Sequence, residues 1–214
     1  MTEYEIEPIP GLPGLLPAGE RILWQGTPDW RVLARTAFHT RLVTGYFALL
    51  AGWGTAGALW AGGSYLGAAM TILVGAVGIA LLHLLAWGTA RATIYTLTNR
   101  RIVMRIGIAV PKCINLPLAM IESIDAAIRA DGSGDLPMTV AGPPKLGYLA
   151  LWPHARAWRI ARPQPMLRAV PDAQSVAALI ARTCLAANPQ GQAAPLESPA
   201  GAPSAPAFAK AAAA

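Results

Sequence analysis

From Leu42 to Ala90 the chain runs for 49 positions without an Asp, Glu, Lys or Arg, although these residues make up 13% of the sequence. A helix needs about 20 predominantly apolar residues to cross a hydrocarbon core about 30 Å thick, because each residue rises about 1.5 Å. The stretch is long enough for two crossings, and the rest of the chain is read around a membrane hairpin. Ala61-Gly62-Gly63-Ser64 marks its turn, since paired glycines and a serine interrupt helix-favouring residues. The spans are predicted at about 42–60 and 65–87. Trp60 and Tyr65 flank the turn, and Tyr46 and Trp87 sit toward the charged ends, as interfacial aromatics do. A pair of soluble core helices of this length would carry a charged face, and this stretch has none.

Charge sets the expected orientation. Arg31, Arg35 and Arg41 precede the hairpin, Arg91, Arg100, Arg101 and Arg105 follow it, and the turn between the spans is uncharged. Both termini are therefore expected to face the cytoplasm. The first 20 residues hold Glu3, Glu5, Glu7, Glu20 and several prolines, which is not the pattern of a cleavable signal, so the first span is read as the targeting element. Residues 1–41 carry four basic and five acidic groups, whereas 91–187 carry twelve and five, so the net charge of +6 comes from the part after the hairpin. An anionic lipid surface is the expected neighbour of that basic part. Two cysteines, Cys113 and Cys184, without a CxxC pair, indicate neither a disulfide framework nor a metal cluster.

Residues 1–41 read as an N-terminal segment with a short strand at Glu20 to Gly26. A helix starts at Thr27-Pro28-Asp29, where Thr27 or Asp29 can cap, and Trp30, Leu33, Ala34, Ala37 and Phe38 share a face suited to the membrane interface. After the hairpin the apolar period becomes two. Ile94 to Thr98 and Arg101 to Ile106 form an expected hairpin around Asn99-Arg100. Further strands are expected at Cys113 to Leu116, Ile121 to Ile128, Met138 to Ala141, Leu146 to Leu151 and Ala157 to Ala161. Asp131 to Asp135 reads as a turn, since it lacks the alternating oxygen ligands and final Glu of a calcium loop. Ala173 to Ala187 follows Pro171-Asp172 as an amphipathic helix with Val176, Leu179, Ile180 and Cys184 on one stripe. The fold class is thus a two-helix transmembrane hairpin (42–90) plus an antiparallel β domain with a terminal helix (91–187). The Ala- and Pro-rich 188–214 is expected to be disordered.

The string Tyr95-Thr96-Leu97-Thr98-Asn99-Arg100-Arg101, with Ile102-Val103 and Gly107 behind it, resembles the opening strands of bacterial membrane-attached pleckstrin-homology-like domains. The run from Pro17 to Trp30 adds to this, as do Ile114-Asn115-Leu116-Pro117, Ile121-Glu122-Ser123, Asp131 to Asp135 and Leu151-Trp152-Pro153-His154-Ala155-Arg156 with Arg162-Pro163. Together they are similar to the PuhB family of photosynthetic complex assembly proteins of purple bacteria, over about 15–187. That resemblance implies an inner-membrane accessory factor for the reaction centre and its core antenna, engaging the reaction-centre H subunit or its partners. The residues themselves support a cytoplasmic β domain held at the membrane, and a lipid-binding or membrane-organising module without a photosynthetic client is the alternative.

Catalysis finds little footing, because the sequence has no glycine-rich phosphate loop, nucleophile elbow or histidine pair at ligand spacing. Of the later carboxylates, Asp131, Asp135 and Asp172 sit in turn or cap contexts, and Glu122 and Asp125 would face opposite sides of one strand. His83 is the one ionisable group inside the spans. It either bonds within the helices or, given the implied client, binds or hands over bacteriochlorophyll. Ala48, Gly52 and Ala56, and then Gly63, Gly67, Thr71 and Gly75, recur every four positions as close-approach faces, for packing the hairpin, docking client helices or self-association. Trp152, His154, Arg156 and Trp158 form a Trp- and Arg-rich candidate contact surface. Arg100, Arg101 and Arg105 are the candidates for lipid phosphates, because they follow the membrane closely in sequence. Nucleic acid is not expected, since no recognition motif accompanies the basic charge.

Overall fold

The computed structural model describes residues 9–142 and 147–187, so the reading of 188–214 lies outside the described residues. In chain order the elements are β1 (Ile22–Gly26), α1 (Trp30–Thr36), α2 (Thr40–Ala61), α3 (Leu66–Ala92), β2 (Ile94–Thr98), β3 (Arg101–Ile106) and β4 (Lys112–Pro117). A 3₁₀ turn at Leu118–Met120 leads to β5 (Ile121–Ile124), β6 (Ala127–Ile128), β7 (Gly134–Val140), α4 (Tyr148–Leu151), β8 (Met166–Val170) and α5 (Ala173–Ala187).

At 22 and 27 residues, α2 and α3 are long and apolar enough to cross a membrane. Only 11% of either apolar stretch is buried, which separates them from core helices of a soluble fold. Gly62 ends α2 in the left-handed region (φ 60°), where its N–H bonds the Ala58 carbonyl. The second helix runs past Trp87 to Ala92, and Thr93 alone separates it from β2, so hairpin and sheet share one stiff connection.

The seam between α2 and α3 uses only part of the expected small-residue faces. A Cβ on Gly75 would lie 2.8 Å from Phe47 Cγ, and one on Gly54 would lie 3.5 Å from the Ala68 Cβ. Gly52 and Gly67 face open space, and Gly63 meets only the Ala58 Cα at 3.9 Å. The reason is helical phase: at about 100° per residue, a stripe repeated every four drifts, so Gly67 and Gly75 point about 80° apart. Gly75→Leu is therefore expected to overpack the hairpin and lower its stability by about 1–3 kcal/mol, with Gly67→Leu near neutral. Thermal unfolding of both variants in mild detergent checks this, and equal losses would contradict it.

Helix α1 does not run into the first span. Asp29 caps it by accepting the Arg31 N–H at 2.8 Å, it stops at Thr36, and His39 turns the chain through a left-handed conformation (φ 49°) before α2. Nor does its apolar face lie free at an interface. Val32, Leu33, Ala34 and Phe38 are buried in one cluster with Ala86 and Ala90 of α3 and Ala169 of β8.

The β domain has two sheets. β1, although it precedes the membrane helices in sequence, is the edge strand of an antiparallel sheet ordered β1-β2-β3-β4, with Ile22 opposite Thr98 and Gly26 opposite Tyr95. In the second sheet β7 is central, with β5 and then β6 along one edge and β8 along the other. Tyr95, Leu97, Met104, Leu136, Met138 and Leu167 fill the space between the sheets, and α5 closes it with Val176, Ala177 and Ile180. Residues 148–151 form a short helix where a strand is expected, since Leu and Ala favour helix and the following proline stops it. Residues 157–161 form no strand, because they have no pairing partner among the described residues and Trp158 is left-handed (φ 64°). β8 occupies a stretch for which the sequence reading expects no element.

Candidate functional site

The Trp- and Arg-rich run is a closed loop on a buried base. Below its tip, the Arg156 N–H donates to Gln164 O (3.0 Å), the Met166 N–H donates to His154 O (2.9 Å), and Ala155 bridges Pro165. Arg156 pairs with Asp125 at 2.7 Å and also donates to Gln164 Oε1 at 3.2 Å, while Gln164 reaches Thr139 Oγ1 at 3.1 Å. The tip that this base holds out is exposed: Trp158 is 92% accessible and Ile160 68%, with Arg159 and Arg162 beside them. Next to the tip runs a cleft of about 500 Å³ lined by Asn115, Pro117, Glu122, Thr139, Arg159 and Arg162. Trp158 is thus the outward member of the run, and Arg156 is its brace.

Trp152 and His154 serve the base. The Trp152 ring stands edge-on to Phe38 at 5.6 Å, directly before α2. His154 is fully buried, with Nδ1 2.7 Å from the Tyr95 hydroxyl and Nε2 3.2 Å from Thr93 Oγ1. The donors resolve into one chain. The Arg168 N–H donates to Tyr95 Oη (3.1 Å), and the Tyr95 hydroxyl proton goes to His154 Nδ1 at 2.7 Å, much nearer than its other acceptor, Arg168 O at 3.4 Å. The His154 Nε2–H then donates to Thr93 Oγ1, whose own proton goes to Thr89 O at 2.7 Å. Burial, followed by the charge of Arg168, lowers the His154 pKa to about 3, so the ring is neutral. Burial raises that of Tyr95, keeping its donor proton in place. The guanidinium of Arg168 donates to Pro153 O (2.8 Å) and to Thr36 O (3.1 Å), tying β8 to this loop and to α1.

The basic candidates do not form one group. Asn99-Arg100 is at the far end of β2 from α3, about 17 Å along a five-residue strand. Nearness in sequence is therefore not nearness to the membrane. Arg101 is also engaged: its Nε and Nη2 donate to the buried Glu20 carboxylate at 2.8 and 3.1 Å, and the Thr98 hydroxyl adds a third bond at 2.8 Å. Burial pushes the Glu20 carboxyl up, but these bonds and the Arg101 charge outweigh it and hold the pKa below the usual range. Asn99 grips the same segment through the Arg21 N–H (2.9 Å) and Gly19 O (3.0 Å), so the Thr-Asn-Arg-Arg corner is a staple for the incoming chain. Arg105, half-buried and paired in register with Ile94, lies at the α3 end of the sheet.

His83 is remote from the loop. Its Nδ1 is 2.8 Å from Ile79 O in its own helix, and its ring meets Trp30 edge-on at 6.5 Å. A carbonyl only accepts, so Nδ1 carries the proton. Sequence reasoning missed Thr93, Tyr95 and Arg168. Arg168 in the otherwise apolar Met166-Leu167-Arg168-Ala169-Val170 was the available signal, since a strand with one charged centre asks for a buried partner. No group of three His, Cys, Asp or Glu that could hold a metal occurs among the described residues.

A family model described as "Bacterial PH domain" matches residues 41–183. A relative from Rhodobacter capsulatus, described as "Uncharacterized 23.7 kDa protein in puhA 5'region", is 39% identical over 200 residues, covering 90% of this chain and 94% of that protein. No solved structure matches.

Proposed function

The chain belongs to the bacterial PH domain family, and on that premise we propose that it is a non-enzymatic assembly factor for the photosynthetic reaction centre and its core antenna. It is held in the inner membrane by α2 and α3 with both termini in the cytoplasm, and it engages the reaction-centre H subunit or its neighbours. The relative's position in the puhA 5' region agrees with the photosynthetic client that the assembly-family motifs imply. The observation that carries the reading is the braced loop: a Trp exposed to 92%, followed by Arg159 and Ile160, on a platform that runs without a linker into the second membrane helix. Large exposed aromatics beside arginine dominate protein interfaces, and a rigid base limits the ordering entropy that binding costs.

Trp158→Ala should leave folding within about 0.5 kcal/mol, because the ring touches so little of its own protein. Its loss from an interface centre should weaken client binding by about 2 kcal/mol, or roughly 30-fold. A gentle-detergent pull-down of tagged wild type and variant from photosynthetically growing cells, quantified by mass spectrometry, checks both points. Equal recovery of reaction-centre subunits would remove Trp158 from the interface. Recovery of none with either protein would favour the lipid-organising module.

A further inference from the structure

We propose that the β3–β4 loop, Gly107 to Pro111, is a second membrane contact that seats the β domain against the headgroup–acyl boundary beside α3. The inference rests on the reading of α2 and α3 as membrane spans. The loop Gly107-Ile108-Ala109-Val110-Pro111 has no charge and no polar side chain, yet Ile108 is 53% and Val110 67% exposed. Apolar side chains at a strand turn are normally withdrawn or replaced, so their position matters.

That position is given by contact. The Ile108 Cδ1 lies 3.6 Å from where a Cβ on Gly88 would stand, so the loop tip packs into the notch that this glycine leaves on α3. Gly88 adjoins Trp87, whose ring carries the Arg91 guanidinium at 5.7 Å. An exposed tryptophan capped by an arginine one turn further on is how a spanning helix meets the headgroups, the ring at the interface and the cation reaching water. The loop tip is therefore level with the boundary, and Val110 extends from it with nothing of its own chain covering most of its surface. Lys112 follows at once and is exposed, so a cation stands beside the apolar tip as it would beside lipid phosphates.

The shape of the turn agrees. Gly107 is left-handed (φ 106°), and a Cβ there would fall on Val110 O, so only glycine lets the strand end in a tip this tight. A loop backbone cannot enter the hydrocarbon core with its amides unpaired, which limits the contact to two side chains at the hydrated boundary. On the other side of the helices Trp152 packs edge-on to Phe38, directly before α2, and the domain is braced on both flanks. This contact replaces Arg100 and Arg101 as the domain's approach to lipid.

The test uses the full chain with Cys113→Ser and Cys184→Ala, carrying one cysteine at Val110, Arg100 or Leu73, labelled with an environment-sensitive fluorophore. Each protein is reconstituted at one copy per lipid nanodisc, with spin-labelled lipids that quench at shallow or deep positions. The label at Val110 should be blue-shifted and quenched by shallow spin labels at least threefold more than the label at Arg100, while Leu73 is quenched by deep ones. Quenching of Leu73 with Val110 no different from Arg100 would overturn the loop contact and leave the spans standing. A Val110 label that is blue-shifted but unquenched would mean that protein, not lipid, covers the loop, and would overturn it too. An unquenched Leu73 would overturn the membrane reading and this inference with it.

Discussion

His154→Ala is expected to destabilise the β domain by on the order of 3 kcal/mol and to abolish much of its acid sensitivity. The side chain is fully buried, so its removal leaves a cavity, and the Tyr95 hydroxyl and Thr93 hydroxyl lose their shared partner. The pH effect follows from linkage. Unfolded histidine binds its proton near pH 6.5, whereas burial and the charge of Arg168 hold the folded ring neutral down to about 3. Between these values the unfolded chain carries one more proton, so the contribution of His154 is fully present above about pH 6.5 and falls as pH drops toward 3. From pH 7.5 to 5.0 this is worth about 2 kcal/mol. His39 and His83 remain in the variant, and the difference between the two proteins isolates His154. Thermal unfolding of wild type and variant in the same detergent at both pH values decides the matter. Parallel pH slopes would show that the imidazole is not held neutral.

The elements whose signal is local were legible in the sequence. The charge-free stretch becomes α2 and α3, the Thr-Asn corner joins β2 to β3, and the apolar stripe of Ala173–Ala187 closes the core. What the sequence hides is long-range. β1 pairs with a strand on the other side of the membrane helices, and Glu20 finds Arg101 across 81 positions, so neither partner carries a mark of the other. Alternation at 157–161 reads as a strand because periodicity reports side-chain spacing, whereas a strand also needs a free edge beside it. Of the candidate site, Trp158 and Arg156 could be picked by residue type. His154 could be picked too, but its role depends on Thr93, Tyr95 and Arg168, which only the tertiary fold brings together.

Arg168→Met is expected to loosen the junction between hairpin and β domain more than it lowers overall stability. Two effects oppose each other. The guanidinium gives up its bonds to Pro153 O and Thr36 O, and charge-assisted bonds of this kind contribute about 1.5–3 kcal/mol each. Against this, methionine avoids burying a cation, whose pKa burial already lowers, and removes the buried Nε–H, which has no hydrogen-bond partner among the described residues. Replacing both sides of a buried polar contact can be nearly neutral, but here the two carbonyls stay behind without their donor, so the loss wins by about 1–3 kcal/mol. The loss is local, since one carbonyl ends α1 and the other precedes His154. Hydrogen exchange in detergent should therefore quicken by roughly 30-fold, the equivalent of about 2 kcal/mol, at the Ala37 and His154 amides, which bond Leu33 O and Leu151 O. The Val176 and Ile180 region of α5 should change far less, because its contacts lie in the other core cluster. Arg168→Lys keeps the charge but offers no planar fork to reach two carbonyls on separate elements, so it should recover less than half of the protection. A uniform rise across the domain, or full recovery with lysine, would show that Arg168 acts as a buried charge and not as the clamp between α1, β8 and the tryptophan loop.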